Sequence, residues 1–157
     1  MNHRLVALLL VLGGLAALVV AYWAQFILLL MPCPLCLWER WPYRVAIALG
    51  LIAMLCRPPT GRLILNFAVV ALLAGVLIAG LHVGVEWQFW PSPLPECNGI
   101  LTPGAPLPLT PAKPCDEATY LIPGLPISMA MMDLIYALGL ALLVVTYISR
   151  KPRRFIK

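Results

Sequence analysis

Residues 5–31 run without one charged side chain. A helix needs about 20 consecutive apolar residues to cross the hydrocarbon core of a bilayer. Three more apolar stretches follow, at about 38–56, 63–83 and 127–148. The expected fold is an all-α membrane protein, a four-helix transmembrane bundle with the whole chain as one domain. Composition points the same way. Of the 157 residues, 62% are hydrophobic and 11% charged, against about 45–50% and about 25% in soluble domains. The second stretch is the least regular, because Glu39, Arg40 and Arg44 stand near its start. The first is far longer than the roughly 7–15-residue core of a signal peptide and has no small-residue cleavage site after it, so it is expected to stay as a span.

An even number of spans puts both termini on one side. Eight of the eleven basic residues fall there or in the short loop carrying Arg57 and Arg62; Arg40, Arg44 and Lys113 do not. The positive-inside rule then makes both termini cytoplasmic. The net charge of +5 resides largely in the membrane-flanking tail, which reads as an anchor near anionic headgroups and not as a nucleic-acid surface. Two connections face outward, at about 32–37 and 84–126. The second is long and proline-rich, which prevents regular helix or central strand. Trp87, Phe89 and Trp90 at its start suit the headgroup layer.

This topology sorts the five cysteines. Cys33, Cys36, Cys97 and Cys115 face outward, where disulfides persist; Cys56 lies at the cytoplasmic end of the second span and reads as a small apolar filler. Four cysteines allow three pairings. Cys33–Cys36 with Cys97–Cys115 is favoured, the first because two intervening residues hold it close, the second because it closes a flexible loop. The plainer reading of Cys97–Cys115 is a structural staple. A bond spanning two residues closes almost no chain, so Cys33–Cys36 points to redox exchange.

Cys36 directly precedes the second span. A helix N-terminus offers unpaired N–H groups and partial positive charge, which favour thiolate. Arg40, four residues on, shares its face, and Glu39 is a neutralising partner for Arg40 or Arg44. Arg44 more plainly snorkels to the headgroups. No iron–sulfur, haem or flavin motif is present, so a lipid-soluble quinone is the expected electron acceptor, with Arg40 hydrogen-bonding a ring carbonyl. His82, at the outer end of the third span, has two readings: a proton donor to reduced quinone, or more plainly an interfacial hydrogen-bonded histidine. Asp133 is expected to cap the last span with Ser128 or to pair with a base. No metal is expected.

"CPLCLWERWPY", "HVGVEWQFWPSPLPEC" and "PCDEATYLIPGLPISMAMMD" together resemble the bacterial disulfide bond formation protein B (DsbB) family over nearly the whole chain. The resemblance implies an enzyme of the bacterial inner membrane, a protein-disulfide oxidoreductase that reoxidises a periplasmic DsbA-like thiol oxidase and passes electrons to ubiquinone or menaquinone. By that likeness Cys97 takes the mixed disulfide with the partner and Cys115 is its loop mate. Cys33 and Cys36 regenerate the loop disulfide, and Cys36 faces the quinone with Arg40 tuning it. The Cys97–Cys115 interval is shorter here than in better-known members and mostly proline and small residues, which argues against a membrane-lying helix within it.

Three other readings are weaker. A vitamin K epoxide reductase relative is disfavoured by the position of Cys-x-x-Cys after the first span. A metal-handling protein using Cys33 and Cys36 lacks histidines or further cysteines nearby in sequence. A purely structural protein leaves the Cys-x-x-Cys without a purpose.

Overall fold

The computed structural model describes residues 2–98, 113–122 and 124–149. Four helices dominate: α1 (His3–Phe26), α2 (Pro34–Leu55), α3 (Pro58–Glu86) and α4 (Met129–Ser149). One 3-10 turn, Pro95–Asn98, lies between α3 and α4, and the described residues contain no strand. By length and composition α1, α3 and α4 can each cross a membrane. Glu39, Arg40 and Arg44 make α2 more polar. The middle of the proline-rich connection and the basic tail lie outside the described residues, and with them any helix between Cys97 and Cys115.

Helix ends differ from the apolar runs because local backbone chemistry sets them. α1 stops at Phe26, short of residue 31: Leu29 takes a left-handed conformation (φ 54°) and the Leu30 N–H turns back to Ala24 O at 3.1 Å. Pro32 follows and disfavours helix in the residue before it. α2 begins at Pro34, earlier than residue 38. Cys33 is its N-cap in extended backbone, its sulfur accepting the Cys36 N–H, and Pro34 stands in the first turn where its fixed φ is already helical. Cys36 therefore lies inside the first turn of α2. α3 likewise starts on Pro58 and Pro59 and runs on past His82 to Glu86.

The helices run up and down. At one end the His3 ring lies 3.2 Å from Cys56 O, and the Arg62 guanidinium sits 5.2 Å from the Tyr147 ring centre. At the other end Ser128 bonds Glu86. Small residues set the spacing: Ala7, Ala46, Ala53, Ala68, Ala137 and Ala141 are buried in the core. A Cβ on Gly50 would come within 2.7 Å of Val11 Cγ2 and 3.3 Å of Ala7 O, so α1 and α2 approach almost backbone to backbone. Close packing of this kind holds helices together in lipid, where hydrophobic exclusion between them is absent. Large apolar side chains instead point outward, as with Phe67 (59% exposed) and Leu77 (73%). α1 packs on α2, α2 on α3 and α3 on α4, while α1 touches α4 only slightly. A seam between α1 and α4 results.

Candidate functional site

The non-helical ends of α1 and α3 and the starts of α2 and α4 meet at one end of the bundle. There Cys33, Leu35, Val85, Cys97 and Cys115 form a single buried cluster, with Cys36, Leu81 and Leu94 packed against it. Cys97 and Cys115 are joined in a disulfide. Both are nearly inaccessible, at 3% and 1% exposed. Cys33 and Cys36 are free thiols, so the Cys33–Cys36 bond expected from sequence is not formed in this structure. Cys33 Sγ instead accepts the Cys36 N–H at 3.2 Å. Hydrogen bonding from the Cys36 thiol, helped by this backbone N–H, holds the Cys33 thiol below the usual cysteine range in spite of burial.

His82 reaches this cluster from α3. Its Nε2 lies 3.5 Å from Cys33 Sγ and its Nδ1 lies 2.8 Å from Glu39 Oε1 on α2. A carboxylate accepts, so Nδ1 carries the hydrogen and, in the neutral ring, Nε2 turns a lone pair toward Cys33. Glu39 is thus not the partner of Arg40 or Arg44 expected from their proximity in sequence. All three of Glu39, Arg40 and His82 are buried, and His82 is held by the α2–α3 interface instead of an aqueous boundary.

The end of α3 borders the site through Leu81 and Val85. Gln88 takes φ 59°, the Phe89 N–H bonds Gly84 O at 2.9 Å and the Gln88 N–H bonds Val85 O at 3.0 Å. This is a Schellman closure with glutamine where glycine is usual. It folds Trp90 back so that its indole N–H donates to Leu81 O at 3.2 Å. The ring occupies the space above Gly84, where a Cβ would stand 2.0 Å from Trp90 Cζ2. Trp90 therefore packs on the α3 backbone.

Arg40 turns from α2 toward α1. One guanidinium nitrogen donates to Gln25 Oε1 at 2.7 Å, the group lies 4.8 Å from the Tyr22 ring centre, and its buried Nε has no hydrogen-bond partner among the described residues. Arg44 is exposed; it donates to the Tyr22 hydroxyl at 2.6 Å and lies over Trp41. Cys36, Glu39, Arg40 and Tyr43 form one wall of a cleft at the α1–α4 seam; Ala17, Leu18 and Ala21 line it from α1, and Met129, Ala130 and Asp133 from α4. Asp133 accepts the Tyr43 hydroxyl at 2.7 Å. Among the described residues it neither caps α4 nor contacts a base, whereas Ser128 does cap, accepting the Met131 N–H at 3.2 Å.

Sequence reasoning passed over Gln25, Tyr22 and Tyr43. Gln25 carried a signal, an amide inside an otherwise apolar span, where a polar group needs a partner.

A bundle with three membrane-length apolar helices, a dithiol at a helix start and a second cysteine pair packed against it defines a multi-pass membrane protein of thiol–disulfide chemistry. The family profile described as "Disulfide bond formation protein DsbB" matches residues 3–147, and the chain belongs to that family. Membership gives it a role in disulfide bond formation. A Disulfide bond formation protein B from Acinetobacter baumannii is 29% identical over 142 residues, 88% of this chain and 72% of the relative. Another, from Herminiimonas arsenicoxydans, is 31% identical over 85 residues, covering 54% of each. An uncharacterised protein of Rickettsia prowazekii is 31% identical over 85 residues, 54% of this chain and 49% of its own. The chain thus spans about half the length of two of these relatives. No solved structure matches.

Proposed function

We propose that the chain is a quinone-dependent protein-disulfide oxidoreductase of the bacterial inner membrane, with both termini cytoplasmic and α2 as a fourth span. Its soluble partner is a periplasmic DsbA-like thiol oxidase. In the first exchange the partner's two thiols are oxidised and the Cys97–Cys115 bond is reduced, through a mixed disulfide on Cys97. In the second, Cys97 and Cys115 reduce a Cys33–Cys36 bond and regain their own. Each step moves two electrons and conserves the sulfur–sulfur bond count. The arrangement with Cys97–Cys115 bonded and Cys33 and Cys36 free corresponds to the species after the second exchange.

The observation that carries this reading is the position of Cys36. It belongs to α2, borders the cluster that holds both cysteine pairs, and lines the cleft at the α1–α4 seam. That cleft has an apolar wall of Ala17, Leu18, Ala21, Ala130 and Met129, with Arg40 beside Cys36. The partnerless Arg40 Nε is a buried donor that a ring carbonyl would satisfy, so the residues fit ubiquinone or menaquinone. Such a quinone supplies the acceptor for two electrons and two protons. Arg40 orients and polarises; Gln25 and Tyr22 hold its guanidinium in place. His82 Nε2 takes the Cys33 proton while Glu39 fixes the imidazole tautomer.

The test combines the detergent-solubilised chain, a reduced thioredoxin-like oxidase and a quinone analogue. Quinol should form at a rate that requires Cys33, Cys36, Cys97 and Cys115 and is unaffected by Cys56→Ser. Turnover that persists after Cys36→Ser would refute the assignment.

A further inference from the structure

We propose that reduced Cys33 and Cys36, together with His82, form a site for one thiophilic divalent ion of the Zn(II) class, and that its occupancy excludes formation of the Cys33–Cys36 bond. The proposal goes beyond the quinone reading and does not depend on it.

The one ligand atom from each of these three residues lies within 4.8 Å of the other two. Tetrahedral zinc with sulfur at about 2.3 Å and nitrogen at about 2.0–2.1 Å sets sulfur and nitrogen about 3.6 Å apart and two sulfurs about 3.8 Å apart. Cys33 Sγ and His82 Nε2 are already 3.5 Å apart, so closure onto an ion needs small side-chain adjustments. The donor set, two thiolates and an imidazole, suits zinc and other borderline or soft ions better than hard ones.

A second observation comes from outside the ligand set. Metal-bound histidines usually give their other ring N–H to a carboxylate, which fixes the tautomer and raises the basicity of the ligating nitrogen. His82 has this arrangement, with Glu39 Oε1 at 2.8 Å from Nδ1. Sequence reading found no histidine near the cysteine pair, because His82 lies on a different helix. Cys33 and His82 are buried and Cys36 is partly exposed, so solvent or an incoming thiolate can fill the fourth position from the Cys36 side.

Binding displaces the two thiol protons and forms two metal–sulfur bonds with no change of oxidation state. The disulfide form has no thiolate to offer. Metal and oxidation therefore compete for the same two sulfurs, and a bound ion holds the pair reduced.

The experiment titrates Co(II) into the reduced, detergent-solubilised full chain, follows the visible bands of tetrahedral cobalt and the thiolate charge-transfer band, and then displaces it with Zn(II). One equivalent should bind to wild type and to Cys56→Ser. Wild type in which Cys33–Cys36 has been oxidised should give no bands, a comparison within one chain that raises no folding question. Glu39→Gln should weaken binding about 10–100-fold, and His82→Ala at least as much. X-ray absorption at the zinc edge of wild type should count two sulfurs and at least one nitrogen. Binding that survives oxidation, that ignores His82→Ala, that follows Cys56, or a four-sulfur shell drawing in Cys97 and Cys115 would overturn the proposal.

Discussion

Glu39 on α2 and His82 on α3 meet through a 2.8 Å contact between Oε1 and Nδ1, both side chains buried. That contact fixes the face that His82 turns to Cys33, and the chemistry at Cys33 follows from it. His82→Ala should slow proton removal from Cys33 and lower quinol formation about 10²-fold or more, the range for loss of a positioned base. Exchange between the partner and Cys97–Cys115 should proceed as before. Stopped-flow quinone absorbance separates the two steps, and equal slowing of both would contradict the assigned role.

The Arg40 fork rests on Gln25. Gln25→Ala removes a hydrogen bond to a charged donor, an interaction of about 1.5–3 kcal/mol, so KM for a quinone analogue should rise by about 10-fold to at most about 150-fold with little change in kcat. Arg40→Lys should raise KM further, because an ammonium cannot reproduce the planar fork. Steady-state kinetics across quinone concentrations distinguishes these outcomes.

Cys33 ionises more readily than an ordinary cysteine because Cys36 donates to its sulfur. A depressed pKa means that thiolate is present at lower pH. Cys36→Ala removes the thiol donor, so the pH midpoint for maleimide labelling of Cys33 should move upward. The measurement uses a Cys56→Ser background with Cys97–Cys115 bonded. An unchanged midpoint would show that the Cys36 thiol does not set it.

Trp90 covers the α3 end only because residue 84 lacks a side chain. Gly84→Val should displace the indole, break its bond to Leu81 O and lower stability by about 1–3 kcal/mol through overpacking. Thermal unfolding in detergent reads this loss. Combining it with Trp90→Ala should recover part of it.

Tyr43→Phe leaves the Asp133 carboxyl without its hydroxyl donor in the cleft wall. Asp133 is partly buried, so loss of its partner should cost about 1 kcal/mol, the low end for an unsatisfied acceptor, which the same unfolding measurement detects.

The four helices were legible from runs of apolar residues, and the gathering of Cys33, Cys36, Cys97 and Cys115 in one cluster agrees with their places beside the ends of those runs. Helix ends were legible only in part. The apolar runs placed the starts of α2 and α3 at about 38 and 63, later than the prolines on which they begin, Pro34 and Pro58, and the apolar leucines 28–30 gave no sign that α1 ends before them. The partners of the charges were not legible. Glu39 beside Arg40 in sequence suggests an ion pair, but adjacent positions on a helix point in different directions. Glu39 turns toward α3 and Arg40 toward α1.

Sequence by itself determined what lipid enforces: backbone groups in hydrocarbon must be satisfied within each segment, so long apolar runs become helices wherever they stand. It also set the Cys-x-x-Cys at a helix start, a consequence of local proline chemistry. Only the tertiary structure decided that His82 faces Cys33, that Glu39 holds His82, that Gln25 holds Arg40, and that Cys36 borders both the cysteine cluster and the cleft. Those pairings depend on the rotation and axial offset of one helix against another. Small residues such as Gly50 and Ala46 fix these through interhelical packing, which no stretch of sequence reports on its own.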